Sequence, residues 1–361
     1  MKTPKIQFAL YGSGWRSEFF LRVARYLPER FQITGVITRN QEKADRFKQE
    51  FGVDAYSSIE ALLECTPSPS FVVVSVAAHV NVEISLKLLN MGIPVLLETP
   101  PARSIDDLMH FHQSLPSGAK IQIAEQYPQH PLHQARLNLI ASGRLGNVQH
   151  TQVSFSHGYH GMSLIRKFLG IGFENAEILA SSFPVNVLGG FTRDGRSAEE
   201  VMKQKNQTIA VLKFDAGQKT ALLNFESDQH RSWVRTPIIQ IKGDRGEIFN
   251  EQLKYVKPIN IPIEAALIRS HMGQDQNLEG TDLKGIQADG EWLYTNPYQG
   301  SRLADDEIAV AHCLEKMCHY VQTNESFYSF AEAAQDTYLA LLIDESINSG
   351  EKIISQTQPW A

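Results

Sequence analysis

The sequence predicts an α/β protein of two domains. The first is a doubly wound parallel sheet, because short apolar runs alternate with amphipathic stretches over residues 1–124. The second, residues 125–361, is an α/β domain with a large, mostly antiparallel open sheet, because strand-like runs there follow one another in succession. The length of 361 residues also exceeds what one hydrophobic core usually serves. Residues 303–361 read as helical and are the part that can pack back on the first domain.

Elements of the first domain follow from the spacing of its apolar residues. A helical period runs through Trp15–Leu27, and Gly52 is a typical stop for the charged helix before it. The apolar run Phe71–Val76 is typical of a strand in the middle of a parallel sheet. Strands are predicted at Ile6–Leu10, Ile33–Ile37, Phe71–Val76 and Val95–Leu97, and helices at Trp15–Leu27, Gln41–Phe51 and Val80–Asn90.

The second domain shows a different pattern, in which strands dominate between helical ends. The segment Gly243–Gly246 predicts a hairpin turn between two strands. Strands are predicted at Val148–Phe155, Thr208–Phe214, Thr220–Phe225 and Ile238–Lys242, and helices at Pro131–Ser142, Asp305–Gln322 and Ala331–Asn348.

Composition excludes several classes of protein. The formal net charge of −6 argues against a nucleic-acid partner, since such proteins normally carry a basic face. The three cysteines, Cys65, Cys313 and Cys318, are too few for a disulfide framework and indicate a reducing cytoplasm. Cys313 and Cys318 lie on different sides of a predicted helix, so we expect no metal site. No apolar window is long enough for a membrane span or a signal peptide, and we expect a cytoplasmic protein with no membrane partner.

A glycine-rich loop follows the first predicted strand. Gly12, Gly14 and Ser17 form a Gly-x-Gly-x-x-Ser variant of the dinucleotide fingerprint of Rossmann domains. Gly12 would make the tight turn, Gly14 would admit a pyrophosphate, and Ser17 would let the helix pack on the strand. The phosphates would then meet the positive end of the following helix.

The second strand ends in Thr38 and Arg39, where NAD enzymes usually place an acidic residue. A guanidinium beside a small hydroxyl suits the 2′-phosphate of NADP, and this favours NADP slightly. The same arginine could stack on adenine and leave NAD acceptable, or could simply be solvated. The predicted cofactor is therefore NAD(P).

Several motifs resemble the Gfo/Idh/MocA family of sugar and cyclitol oxidoreductases. Glu98-Thr99-Pro100 is similar to its Glu-Lys-Pro segment, and Ser142–Val148 is similar to its entry into the second domain. Gly158–Leu164 with Leu169-Gly170, Ile241–Ile248 and Tyr328–Gly350 resemble its later helices and hairpin. The resemblance implies a Rossmann domain, an active site between cofactor and sheet, and a homodimer or homotetramer formed through the C-terminal sheet. The cofactor-binding residues that it implies, with the glycine loop, are Gly12, Gly14, Trp15, Arg16, Ser17, Thr38, Arg39, Val76, Ala77, His79, Glu98, Thr99 and Gln126.

The sequence departs from this family where the chemistry is done. Thr99 replaces the lysine that assists proton transfer, and a threonine hydroxyl is a poor acid or base near pH 7. Ser156 stands where the family has an aspartate four residues before His160, and Ser163 replaces the aspartate three residues after it. Gln126 replaces an asparagine near the nicotinamide.

The catalytic candidates are therefore His160, His157, Tyr159 and Thr99. Histidine has the unperturbed pKa that suits proton transfer at neutral pH, and tyrosine can serve if a neighbouring cation lowers its pKa. His157 and Tyr159 could instead be structural residues at a strand end.

Substrate candidates are Arg166 and Ser163 on the helix of His160, and the alternating Arg231, Trp233 and Arg235. Arginines can hold a carboxylate or sulfonate, and tryptophan can stack on a sugar. Alternation predicts that the last three lie on one face of a strand. The same residue types are also typical of a subunit interface.

Three functions stay open at this point. The first is an NAD(P)-dependent oxidoreductase acting on a sugar, cyclitol or related polyol, with His160 moving the hydroxyl proton. The second is a redox-neutral glycosidase or lyase with tightly held NAD, because some relatives without the lysine are glycosidases of this kind. The third is a non-catalytic regulator that senses a dinucleotide or a sugar.

Overall fold

The computed structural model describes residues 5–192, 195, 199–227, 229–273 and 281–361. The N-terminal sheet has the order β3-β2-β1-β4-β5-β6, with parallel neighbours throughout. Its strands are β1 (Ile6–Tyr11), β2 (Phe31–Ile37), β3 (Ala55–Tyr56), β4 (Phe71–Val74), β5 (Val95–Leu97) and β6 (Ile121–Ile123).

Helices connect these strands, as parallel pairing requires. Local signals set their ends: Asn40 caps α2 by accepting a hydrogen bond from the Lys43 amide at 2.9 Å. The order in which the strands are added reverses between β1 and β4, which is the arrangement of a dinucleotide-binding domain. The helices are α1 (Ser17–Tyr26), α2 (Gln41–Phe51), α3 (Ile59–Cys65), α4 (Asn81–Asn90) and α5 (Ile105–Ser114).

The C-terminal domain is built on a larger sheet of order β14-β13-β12-β11-β7-β10-β9-β8-β18. Only β7 and β10 pair in parallel among the described strands of this sheet, and their neighbours are antiparallel. A smaller antiparallel sheet, β15-β16-β17, lies beside it. The strands are β7 (Val148–Ser154), β8 (Ala176–Leu188), β9 (Met202–Phe214), β10 (Lys219–Glu226), β11 (Ile238–Gly243), β12 (Gly246–Phe249), β13 (Gln252–Lys257), β14 (Ile261–Ala266), β15 (Ile268–Met272), β16 (Asp282–Ala288), β17 (Glu291–Thr295) and β18 (Ile353–Ile354). This architecture confirms the predicted fold class.

Helices cover the inner face of the large sheet. Ile178, Leu212 and Phe214 alternate with exposed residues along β8 and β9 and are fully buried on the helix side. The helices of this domain are α6 (Pro131–Ala141), α7 (Gly158–Leu169), α8 (Asp305–Thr323) and α9 (Phe330–Ser349); α7 and α9 pack on each other and on this sheet.

Helix α8 returns to the N-terminal domain and packs against α1. Arg22 lies 2.7 Å from Glu307, and Arg30 lies 2.6 Å from Glu315. The domain boundary at residue 124 stays a prediction, but the last helices do contact the first sheet.

The structure differs from the predicted elements in several places. Helix α1 begins at Ser17 rather than Trp15, because the glycine loop extends to Arg16. Strand β4 ends at Val74 rather than Val76, and the residues after it line the cavity described below. Strand β8 and the small sheet were missed. The strand predicted over Arg231–Arg235 is wrong: Gln229–Arg231 form a short 3-10 turn, and the next residues are irregular. The predicted hairpin at Gly243–Gly246 joins β11 and β12.

Candidate active site

A cavity of about 630 Å³ opens at the carboxyl ends of β1 and β4, where the strand order reverses. This is the position at which open α/β sheets bind their ligands. Predicted cofactor residues that line this cavity are Gly12, Gly14, Trp15, Arg16, Thr38, Arg39, Val76 and Ala77.

The two glycines of the loop differ in what a side chain would meet. Gly12 has a φ of +122°, and a Cβ there would lie 2.7 Å from the Ser75 carbonyl carbon. A Cβ on Gly14 would meet no atom within 4 Å, because this residue faces open space at the cavity wall. Gly12 is therefore required by the turn itself, whereas Gly14 leaves room for a pyrophosphate. The residues present fit a dinucleotide.

One end of the cavity is basic. The Lys43 ammonium donates to the Ser13 carbonyl oxygen at 2.6 Å, and the Ser13 and Thr38 hydroxyls lie 2.8 Å apart. Arg39 is exposed at the cavity wall, with no ion-pair partner recorded among the described residues. No carboxylate follows β2 where NAD enzymes usually have one.

Arg16 lines the cavity, and its guanidinium is bonded to two carboxylates. Its guanidinium lies 2.9 Å from Glu98 and 2.6 Å from Asp306, so it joins the end of β5 to α8. His130 approaches the other oxygen of Asp306 at 3.2 Å. Gln126, oriented to satisfy both ends of its amide, donates to the Ala124 carbonyl oxygen and accepts from Arg16.

Glu98 is thus engaged with protein rather than exposed to the cavity. Its second oxygen accepts from the Thr99 amide at 3.2 Å. Ser17 is fully buried, with its hydroxyl 3.4 Å from the Ser75 carbonyl oxygen, as the predicted role in helix packing requires. His79 is exposed on a short turn, and Ser17, His79, Glu98, Thr99 and Gln126 are not part of the cavity wall.

His160 is paired with a carboxylate that sequence reasoning missed. Its Nδ1 lies 2.7 Å from Glu125 Oε2, and both side chains are almost completely buried. Glu125 follows β6, whereas His160 lies in the first turn of α7. The other oxygen of Glu125 accepts from the Tyr127 amide at 3.2 Å. Both carboxyl oxygens are therefore fixed.

Aromatic rings hold the His160 imidazole in place. The Tyr127 ring stacks on it with centroids 4.2 Å apart, and the Tyr159 ring lies at 4.4 Å. His157 is 5.3 Å away, and His157 precedes α7 rather than ending a strand. The rings of His157, Tyr159 and His160 therefore form one cluster.

Burial governs the protonation of this cluster. It lowers the pKa of His160 to about 3 and that of His157 to about 4, so both rings are neutral at pH 7. Burial raises the pKa of Glu125 to about 8, although hydrogen bonds from the Tyr127 amide and the Ser163 hydroxyl act to lower it. The condition on which Tyr159 could act as an acid or base, a pKa lowered by a neighbouring cation, is not met. Burial raises the pKa of Tyr159, and a hydrogen bond with the Thr99 side chain opposes this only in part.

Two substrate candidates on α7 face the protein interior. The Arg166 guanidinium donates to Asp336 at 2.6 Å and to the Gly172 carbonyl oxygen at 2.6 Å, so it ties α7 to α9. Ser163 is fully buried beside Glu125. Neither faces the cavity.

The other three candidates lie near the end of β10. Arg231 lines a small cavity of about 50 Å³, and Arg235 Nε lies 3.0 Å from the buried Glu226. Trp233 is 60% exposed and contacts Phe191 edge-on. They do not form the predicted single face.

One signal for the missed Glu125 was present in the sequence. Glu125 and Gln126 follow an apolar strand directly, and polar groups at the carboxyl end of a parallel strand face the ligand crevice. Nothing in the spacing connects Glu125 with His160, which lies 35 positions later.

The described residues contain neither a membrane-spanning helix nor a cluster of metal ligands. In residues 5–192, 195, 199–227, 229–273 and 281–361, no helix is long and apolar enough to cross a bilayer. Over the same ranges, no three histidine, cysteine or acidic side chains group closely enough to hold a metal ion.

Comparisons with known proteins agree with this geometry. Residues 6–123 match the family model of Gfo/Idh/MocA oxidoreductases, described as an oxidoreductase family with an NAD-binding Rossmann fold. No curated protein sequence matches the chain.

Solved structures of similar fold cover almost the whole chain. An oxidoreductase from Agrobacterium radiobacter, in complex with NAD+, L-tartaric acid and magnesium, is 15% identical with a TM-score of 0.67 over 97% of this chain and 98% of that one. A myo-inositol dehydrogenase from Corynebacterium glutamicum is 16% identical with a TM-score of 0.65, covering 98% and 100%. The WlbA dehydrogenase from Bordetella pertussis, in complex with NADH and UDP-GlcNAcA, is 15% identical with a TM-score of 0.64, covering 98% and 100%.

These findings confirm the predicted resemblance and the prediction of an oxidoreductase enzyme. The residues matched by the family model are those of the Rossmann domain, and the solved structures extend the shared fold to the second domain. Residues 6–123, the Rossmann domain, are thus similar to the Gfo/Idh/MocA family of NAD-binding oxidoreductases.

Proposed function

We propose that the protein is an NAD(P)-dependent oxidoreductase of a sugar, cyclitol or related polyol, with His160 as its proton-transfer residue. The observation that carries this proposal is the buried, neutral His160 whose Nδ1 is already paired with Glu125. The same chain has a cleft whose lining fits a dinucleotide. Arg16 connects the two: it lines the cleft, and its charge acts on both His160 and Glu125.

The residues of the cluster have distinct roles in this proposal. A nicotinamide cofactor bound in the cleft would supply hydride chemistry. His160 Nε2 takes the proton of a substrate hydroxyl as it becomes a carbonyl, because Nδ1 is held by Glu125. Tyr159 keeps its proton at neutral pH and can donate a hydrogen bond to the substrate oxygen. Thr99 fixes the Tyr159 phenol rather than moving a proton.

A polyol suits this set of groups. The cluster offers neutral donors and acceptors, and a substrate without charge needs no ion-pair partner there. The similar solved structures include an inositol dehydrogenase and an enzyme bound to a nucleotide sugar, which agrees with a hydroxylated ring as substrate class.

We infer a preference for NADP. Arg39 and Lys43 place two positive charges beside the end of β2, where they can attract the 2′-phosphate of NADP. NAD enzymes usually have an acidic residue at this position, which would repel that phosphate. Isothermal titration with NADP+ and NAD+ tests this inference. Tighter binding of NADP+ supports it, and tighter binding of NAD+ contradicts it.

The experiment that tests the function follows the absorbance of reduced nicotinamide with a panel of polyols and aryl glycosides. Net reduction with a polyol, lost in His160→Ala, is the expected result. Aglycone release without net reduction would instead establish the redox-neutral glycosidase. Dinucleotide binding without turnover on the whole panel would favour the non-catalytic regulator.

The outer face of the large sheet fits a second copy of this chain. Leu179 on β8 and Val211 on β9 are cross-strand neighbours and are 53% and 43% exposed. Phe183 extends the same apolar face. We propose a homodimer or homotetramer through this face, in a cytoplasmic protein. Light scattering tests it, with a monomer as the contradicting result.

A further inference from the structure

We propose that Glu125 is the positioning residue of the active site, and that its carboxyl group decides whether Nε2 of His160 accepts or donates a proton. The proposal rests on the proposed function, in which His160 moves the substrate proton. It also explains how the chain can dispense with the family aspartate four residues before the histidine, which is Ser156 here.

The geometry leaves the pair little freedom. Glu125 Oε2 and His160 Nδ1 are 2.7 Å apart, with side chains 2% and 8% exposed. The Tyr127 amide holds Oε1, and the Tyr127 ring stacks on the imidazole at an angle of 29°. The imidazole cannot turn without breaking both contacts, so Nε2 is the only nitrogen left for a ligand.

The other charged groups that face the Glu125–His160 pair form ion pairs with groups of opposite charge. The basic groups that act on it are Arg16, His130 and His157, and Arg16 is neutralised by Glu98 and Asp306. Asp336 acts on Glu125 from α9 and is paired with Arg166. Glu125 is therefore the carboxyl of this region that has no cation bonded to it.

Neighbouring weak acids do not compete for the proton. Burial raises the pKa values of Tyr127, Tyr159 and Tyr328, and that of the Cys313 thiol. These groups keep their protons over the working range of an enzyme. Among the side chains that contact the His160 imidazole, Glu125 is the one whose pKa is raised to about 8.

Counting protons defines two working states. With two protons, one is shared between Oε2 and Nδ1, and the other is on Nε2, which can donate to a carbonyl oxygen during reduction. With one proton, that proton stays on Nδ1 against the carboxylate, and Nε2 presents a lone pair that takes a hydroxyl proton during oxidation. The pair gives up one proton between these states, and the raised pKa of Glu125, about 8, is where this change is expected.

The test reads the imidazole directly and needs no substrate. Protein labelled with ¹⁵N-histidine is titrated by NMR, and the His160 signals are assigned by their loss in His160→Ala. In the wild type, we expect Nε2 to lose its proton near pH 8 while Nδ1 keeps one. In Glu125→Gln this step is absent, because an amide does not ionise, and in Glu125→Asp a shifted step returns.

A matched control separates this effect from a loss of stability. Asp282 is a buried carboxylate that accepts from the Arg302 amide at 3.0 Å and lies in the small sheet. Asp282→Asn should alter unfolding but leave the His160 titration unchanged. If Glu125→Gln keeps the wild-type step, the proposal is overturned.

Kinetics give a second readout once a substrate is known. Glu125→Gln should lower kcat on the order of 10²-fold with little change in KM, and should remove the rise of the oxidation rate toward pH 8. Combined with His160→Ala it should cost nothing further, since both act through one group. Absence of turnover in the wild type would count against the proposed function alone, because the NMR result stands without it.

Discussion

Alanine at Gly14 should weaken dinucleotide binding without unfolding the protein, whereas alanine at Gly12 should destabilise the fold. The new Cβ at Gly14 meets no atom within 4 Å, and its φ lies outside the left-handed region. We therefore expect the free energy of unfolding of Gly14→Ala to stay within about 0.5 kcal/mol of the wild type. The methyl group would nevertheless stand at the wall of the cavity where a pyrophosphate must approach.

The magnitudes follow from these contacts. One methyl group against a closely packed ligand costs about 1–3 kcal/mol, which is roughly a 5- to 150-fold increase in Kd. At Gly12, two effects would destabilise an alanine variant. The φ of +122° is unfavourable for a residue with a side chain, and the new Cβ would lie 2.7 Å from the Ser75 carbonyl carbon and 3.2 Å from the Val76 side chain. Strain and overpacking each cost on the order of 1–3 kcal/mol there.

Two measurements separate the variants. Urea unfolding of the ligand-free protein reports the fold, and calorimetric titration with NADP+ and NAD+ reports the cleft. Wild-type affinity in Gly14→Ala would refute the placement of the pyrophosphate, and wild-type stability in Gly12→Ala would refute the geometry of the loop.

Three further predictions test other parts of the structure. Lys43→Ala should weaken NADP+ binding and leave NAD+ binding nearly unchanged, as measured by calorimetry, because only the former carries a 2′-phosphate; equal losses would contradict this. Arg166→Ala should cost about 3–5 kcal/mol in urea unfolding, because it leaves Asp336 buried and unpaired; a loss under 1 kcal/mol would contradict it. The raised pKa of Glu125 makes a contribution to stability that is present below pH 4.5 and is lost as the pH rises through about 8. Unfolding at a series of pH values should therefore show the wild type losing roughly 1.4 kcal/mol per pH unit relative to Glu125→Gln across that window, and parallel curves would contradict it.

Local features of the fold were predictable from the sequence. Adjacent residues determine a turn or a strand end. A few neighbouring positions were therefore enough to predict the glycine loop, the apolar run of β4 and the residues after β2. The structure places the glycine loop and the end of β2 at one cavity. The alternation of Arg231, Trp233 and Arg235 wrongly predicted a strand with these side chains on one face. A short 3-10 turn interrupts the extended backbone that such a strand requires.

Long-range features of the site were not predictable in this way. Glu125 and His160 meet because β6 ends where α7 begins, and no local period records that meeting. The sequence showed that an aspartate was missing before His160 but not that a glutamate from another element takes its place. Arg166 was predicted to bind substrate. It pairs instead with Asp336 on α9, 170 positions away, and does not face the cavity.

The measurement that tests the central claim most directly is transfer of deuterium from substrate to cofactor. The protein and NADP+ are incubated with pooled sugars, cyclitols and aryl glycosides deuterated at carbon, and the dinucleotide and the products are analysed by mass spectrometry. The proposed function predicts reduced dinucleotide carrying one deuterium, formed by the wild type and not by His160→Ala. Oxidised dinucleotide alone, together with cleaved glycoside, would contradict net oxidation and establish the redox-neutral reaction.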